Sequence, residues 1–236
     1  IRSFPFFLHT NFGDNANMQK HPAITWRRLE RFLEALQTQV VTARAQAEVW
    51  FCPEPHADAL SAEASNNWTQ VEPGFTWGPA YRVVWFQVRG ELPADWEGAE
   101  AGLIAELGGE RTLWLGDCPE RGIDGPHAVM RFREPVGPPA PIRLTIQAYG
   151  SAHHARVWGE VPEDSDASQV FKECAFVRLD TDLERLNYDF LFALDLARAL
   201  PDIDPAYATI VRALNDVCNL WSQGSANRIA RARRLI

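Results

Sequence analysis

The nine residues Tyr81–Arg89 read YRVVWFQVR, and their alternation decides the fold class. Successive side chains of an extended chain point to opposite faces. Arg82, Val84, Phe86 and Val88 therefore share one face, and Val83, Trp85, Gln87 and Arg89 share the other. The first face is strongly apolar and the second mixed. That is the pattern of a strand with a hydrophobic core on one side and a different environment on the other.

Working outward, the same texture runs from about Ala47 to Leu179. Short β-branched and aromatic runs predict strands at Glu48–Phe51, Gly102–Leu107, Arg111–Leu115, His127–Arg131, Ile142–Tyr149 and Lys172–Leu179. Trp68–Val71 and Phe75–Trp77 are weaker strand signals. Turn residues separate the runs, at Pro73-Gly74, Gly78-Pro79, Gly125-Pro126 and Gly137-Pro138-Pro139. Gly108-Gly109 predicts a hairpin between its flanking strands, and Gly116-Asp117 closes the second of them. Residues 159–170, with Glu160, Glu163, Asp164, Ser165 and Asp166, read as an acidic loop. No helical pattern separates the strands, which argues against a parallel α/β sheet. The expectation is a mainly β protein, an antiparallel β-sandwich or jelly roll.

Helical periodicity brackets this region. In Ala23–Leu36, Trp26, Leu29, Phe32, Leu33 and Leu36 recur at helical spacing, with Thr25 as the expected N-cap. After Asp180, Leu183, Leu186, Phe190, Leu191, Leu194 and Leu196 trace a second helix, capped by Asp180 or Thr181. Asp204-Pro205 opens a third, whose core face is Ile210, Val211, Leu214, Val217, Cys218 and Trp221, with Gly224 as its stop. The basic segment Ala226–Ile236 could add one more to this C-terminal helical pair. Four segments follow: 1–17, an upstream or non-native stretch ahead of Met18; 18–40, the N-terminal helix; 41–180, the sandwich; and 181–236, a helical linker.

Composition limits the function classes. A formal charge of -8 over 236 residues, with no basic face beyond Arg228, Arg231, Arg233 and Arg234, argues against a nucleic-acid partner. No apolar run is long enough to span a membrane. The four cysteines, at 52, 118, 174 and 218, form no C-x-x-C pair, and no histidine is read at ligand spacing from any of them. They read as reduced thiols, which favours a cytoplasmic setting. No metal site is expected. His153 and His154 are adjacent and point apart if extended. The acids Asp180, Asp182, Asp202 and Asp204 sit where helix starts account for them. There is no nucleophile elbow and no phosphate loop. Cys118 stands beside Asp117, an anion that works against thiolate formation. No catalytic residue is therefore expected. Trp68, Trp77, Trp96 and Trp114 lie at strand ends or turns, where aromatic rings either stack on sugars or fill a core. Trp77, Trp114, His153 and His154 are the candidate substrate-binding residues.

Several stretches taken in order resemble the front part of long-form class II α-mannosidases, glycoside hydrolase family 38. They are ITWRRLERFLEAL (Ile24–Leu36), WGPAYRVVWFQVRGELPADWEG (Trp77–Gly98), GGERTLWLGDCPERGIDG (Gly108–Gly125) and Ala175–Leu220. The resemblance covers roughly Met18 to the end. It implies a zinc-dependent retaining hydrolase of α-mannosides, with an aspartate nucleophile and a zinc held by His and Asp. Those residues would belong to a catalytic barrel following Ile236, so none is carried over to this chain. The chain departs from the family at Gln147–Trp158, where relatives tend to have an Asn-x-x-Phe-Gly element. The expected role is a non-catalytic accessory domain in mannose metabolism, with no cofactor of its own. Its expected partners are its own catalytic domain, a homo-oligomer and α-mannosides. An apolar docking patch is expected around Trp26, Phe32 and the C-terminal helices. Two other readings stay open: an independent carbohydrate-binding module for mannosides, and a self-sufficient glycosidase.

Overall fold

The computed structural model describes residues 22–79, 81–123, 129–150, 168–224 and 227–236. Helix α1 (Pro22–Val40) leads into strands β1 (Val41–Gln46) and β2 (Glu48–Cys52), then the short helix α2 (Ala59–Glu63). Strands β3 (Thr69–Val71), β4 (Thr76–Trp77) and β5 (Val83–Glu91) follow, then a 3₁₀ turn at Ala94–Trp96. Next come β6 (Ala101–Glu106), β7 (Glu110–Leu115), β8 (Cys118–Ile123), β9 (Val129–Arg131), β10 (Pro141–Tyr149), β11 (Gln169–Val170) and β12 (Glu173–Leu179). The chain ends in α3 (Thr181–Ala199), α4 (Pro205–Ser222) and α5 (Arg228–Arg233). It divides into two units, Val40–Thr181 and the helices that bracket it in sequence.

The Val40–Thr181 unit is an antiparallel β-sandwich, as the alternation predicts. One sheet has the order β3-β2-β5-β10-β7-β8 and the other β1-β12-β6-β9, with β4 and β11 paired beside them. The chain crosses repeatedly from sheet to sheet, as jelly rolls do. The longest ladder pairs β5 with β10, from Val83↔Tyr149 to Glu91↔Pro141. The core lies between the sheets: Val49, Val84, Phe86, Val88, Leu113 and Ile146 face Leu103, Ala105, Met130 and Phe176. Phe86 touches the rings of Phe51 and Trp77, with centroids at 5.3 and 5.8 Å. Arg111 is buried as well, and donates to the carbonyls of Ala105 (2.6 Å) and Ile123 (3.2 Å), which belong to opposite sheets.

Several local expectations are corrected. Gly108-Gly109 reverses the chain, with φ of +86° and +64°, but β6 and β7 do not pair. A glycine turn fixes only the reversal; here it carries the strand from one sheet to the other. The hairpin is the next connection, Gly116-Asp117, across which Leu115 pairs with Cys118. Strand β8 thus forms where a loop is expected, because its polar residues lie at a sheet edge with little to bury. Tyr81 belongs to a turn with φ +66°, so β5 begins at Val83. Strand β1 was hidden because VTARAQ has small apolar residues; it pairs with β12 all the same. Helix α2 is announced by Asp58, which accepts from Ser61 N at 2.8 Å in a reciprocal capping box. His127 and the acidic stretch 159–167 lie outside the described residues.

In the helical unit, α1 starts at Pro22, so Thr25 lies inside it and is not its N-cap. Proline at the first turn removes a donor that would be orphaned there. Leu29, Leu33 and Leu36 form its buried face. Phe32 packs between Phe190 of α3 (5.0 Å) and Trp221 of α4 (5.7 Å). Trp26 Nε1 donates to the Tyr207 hydroxyl at 3.2 Å. Arg28 donates to Asn215 and Asn219 at 2.6 and 2.8 Å. Asp204 caps α4 by accepting from Ala206 N at 2.8 Å, and Gly224, with φ +64°, follows its end. The basic C-terminal segment contributes α5.

Candidate functional site

The outer face of the six-stranded sheet gathers the aromatic and polar residues that β5 leaves out of the core. Register aligns them in rows. Trp50 of β2 stands opposite Gln87 of β5, Gln87 opposite Thr145 of β10, and Thr145 opposite Trp114 of β7. In the next row Cys52 faces Trp85, and Trp85 faces Gln147. Gln87 is buried and accepts from Arg89 Nε at 2.6 Å. The Arg89 guanidinium lies 4.6 Å from the centroid of the Trp50 ring. Burial, then the nearby charge of Arg143, lowers the Arg89 pKa from its ordinary value. Helix α2 covers one end of this face: Ala59 and Ala62 pack on Cys52 and Trp85, and Trp68 and Trp114 lean against the same cluster. Thr145 also donates to Glu63 of α2.

Of the expected substrate contacts, Trp77 and Trp114 are among the described residues, and of these two Trp114 lies on this face. Trp77 is only 4% exposed and donates through Nε1 to the Leu107 carbonyl at 2.7 Å. That ring is a wedge between the sheets, so it presents no face for a sugar. Trp96 is buried too. Trp114 is half-buried on the outer face, with its ring 5.6 Å from that of Trp85. His153 and His154 lie outside the described residues. Trp50, which the sequence reading passed over, belongs with Trp114. The signal was its place on β2, two residues from Cys52 and out of phase with the core residue Val49. Trp50, Trp85 and Trp114 all hold a buried Nε1 with no hydrogen-bond partner among the described residues.

A second correction concerns ligand spacing. Beyond the end of β2 the chain runs Cys52-Pro53-Glu54-Pro55-His56. It brings a thiol, a carboxylate and an imidazole within 4.8 Å of one another. His56 Nε2 is 3.7 Å from Cys52 Sγ and 3.3 Å from Glu54 Oε2. Alternate residues converge because the prolines fix the backbone between them, a bend that a one-dimensional motif search misses. Cys52 is buried, whereas the side chains of Glu54 and His56 are 46% and 18% exposed. Hydrogen bonds from Asn67 and then Ser65 hold the Glu54 carboxyl below the usual carboxylate range. Cys118 is exposed, and the neighbouring Asp117 raises its pKa, so it is a poor nucleophile. In the helical unit, a shallow cleft of about 380 Å³ is lined by Asp216, Asn219, Arg231 and Arg234.

Two antiparallel sheets with repeated crossovers and an aromatic outer face define a jelly-roll sandwich domain. A sequence match agrees with that fold: residues 42–135 fit the Ams1-like family model described as alpha-mannosidase, jelly roll domain, and this stretch is similar to that domain. Strands β10 and β12, beyond that match, complete the two sheets. No curated protein matches the chain. Among solved structures it is similar to CBM51-2 in complex with GlcNAc and INT domains from Clostridium perfringens ZmpB. That similarity has 9% identity and a TM-score of 0.17, over 82% of this chain and 40% of that one, and carries no weight for fold or ligand. No described helix is long and apolar enough to cross a membrane.

Proposed function

We propose that this chain is the non-catalytic N-terminal accessory domain of a zinc-dependent retaining α-mannosidase of glycoside hydrolase family 38, acting in the cytoplasm. The observation that carries the reading is the match of residues 42–135 to the α-mannosidase jelly roll. The catalytic zinc and the aspartate nucleophile belong, in this reading, to a separate catalytic domain. This sequence has no cluster of the His-x-His-x-x-Asp kind to hold that zinc.

The accessory role is to dock on the catalytic domain and shape the rim of its sugar pocket, including within a homo-oligomer. An apolar row on α3 supports docking: Tyr188, Phe192 and Leu196, spaced four residues apart, are 59%, 73% and 42% exposed. Rings at such exposure stay in water unless a partner covers them. This row lies on the C-terminal helices of the expected patch, whereas Trp26 and Phe32 pack inside the helical unit. The test is to express the catalytic domain of the same enzyme with and without this chain. Association that is lost in Phe192→Ser, together with no turnover of p-nitrophenyl α-mannoside by the pure chain plus zinc, supports the reading. Turnover by the pure chain refutes it. The half-buried Trp50 and Trp114 beside buried Gln87 favour a second reading, an independent mannoside-binding module. Binding of α-mannobiose tighter than about 1 mM would favour that module.

A further inference from the structure

We propose that Cys52, Glu54 and His56 form a binding site for one divalent cation of the zinc class, on the sandwich itself and separate from any catalytic centre. The geometry carries the inference. A tetrahedral ion with a metal–sulfur bond of about 2.3 Å and metal–nitrogen and metal–oxygen bonds of about 2.05 Å has S–N and N–O edges of about 3.6 and 3.3 Å. The corresponding separations here are 3.7 Å for Cys52 Sγ to His56 Nε2 and 3.3 Å for His56 Nε2 to Glu54 Oε2. Two of the three donor edges therefore already stand at coordination lengths, and the third, from Cys52 Sγ to the Glu54 carboxylate, lies within 4.8 Å.

The surroundings fit the same reading. Glu54 is oriented through both oxygens: Oε2 accepts from Ser65 Oγ at 3.0 Å, and Oε1 from Asn67 Nδ2 at 3.0 Å. Such partners are how proteins aim a ligating carboxylate. Pro53 and Pro55 restrict the loop between the donors. Cys52 is fully buried at the end of β2, so the sulfur side of the site is dry, while Glu54 leaves a path from solvent. One soft sulfur, one imidazole and one carboxylate suit zinc or cobalt better than magnesium or calcium, which favour all-oxygen sites. The fourth position is left for water or for the Ser65 hydroxyl, which lies 3.8 Å from the sulfur. Bound there, the ion would clip the 53–67 segment, including α2, to the end of β2. The aromatic face beneath α2 would gain rigidity.

The test is a cobalt(II) titration of the metal-free full chain, read by the thiolate-to-cobalt charge-transfer band and the visible bands of a tetrahedral ion. Wild type and Cys118→Ser are expected to show both at one equivalent, displaced by zinc, with a thermal midpoint that rises when zinc is added. Cys52→Ser should remove the charge-transfer band, and His56→Ala and Glu54→Gln should each weaken binding at least tenfold. Cys52 is buried, so Cys52→Ser could fail to fold; His56→Ala and Glu54→Gln lie in a surface loop and decide the matter alone, with circular dichroism as the folding control. Absence of a thiolate band in wild type overturns the proposal. So does an affinity unchanged in His56→Ala, which would place the ion elsewhere in the chain.

Discussion

Replacing Phe86 by alanine probes the register on which the whole sandwich rests. The ring is fully buried at the middle of β5, with Phe51 and Trp77 against it at 5.3 and 5.8 Å. Phe→Ala in a closed core costs about 3–5 kcal/mol, from lost transfer energy plus the cavity left behind. The two ring contacts place Phe86→Ala in the upper half of that range, at about 4 kcal/mol. With a urea slope of roughly 2–3 kcal/mol/M, the unfolding midpoint should fall by about 1.3–2 M, followed by tryptophan fluorescence. Phe192→Ala removes a ring of the same size at 73% exposure and should move stability by no more than about 0.5 kcal/mol. A one-residue slip of β5 would carry Phe86 out of the inter-sheet core and bring Gln87 into it. A loss below about 1 kcal/mol for Phe86→Ala, or a larger loss for Gln87→Ala than for Phe86→Ala, would refute the register.

Three other outcomes are expected. Gly102→Ala should destabilise by about 1–3 kcal/mol in the same denaturation assay, because a Cβ there would stand 2.3 Å from the Met130 carbonyl oxygen on the paired strand β9. Asp204→Ala should cost about 1 kcal/mol, seen as a lower urea midpoint, since it removes the carboxylate that accepts from Ala206 N. Burial pushes the Cys218 thiol up to about 11. The folded state then keeps a proton that the unfolded thiol releases near its ordinary pKa, so stability should fall as pH rises from about 9 towards 11. Cys218→Ala should flatten that decline in urea midpoints taken across the range.

Much of the architecture was legible because burial imposes a period. In β5, Val84, Phe86 and Val88 mark a core face in one dimension, and the two-residue repeat allows only one way to bury them. The helices were legible for the same reason at 3.6 residues, as Leu29, Leu33 and Leu36 show. Pro205 after Asp204 announced a helix start through local hydrogen bonding alone. Strand β8 buries little and left no periodic trace, and β1 left only a faint alternation of small apolar with polar residues; neighbouring strands hold both by backbone pairing, which side chains do not encode.

The candidate sites were the least legible. Trp77 and Trp114 look alike in sequence, each near the end of an expected strand. Only the fold places the first between the sheets, donating to Leu107, and the second on the outer face beside Trp85. The meeting of Cys52, Glu54 and His56 depends on how two prolines bend the chain beyond β2 and on what Ser65 and Asn67 hold in place. Residue order is enough to say which faces must leave water, because that follows from local periodicity and hydrophobic burial. Which partners each face meets depends on contacts between residues distant in sequence, and those exist only once the sheets have closed on each other.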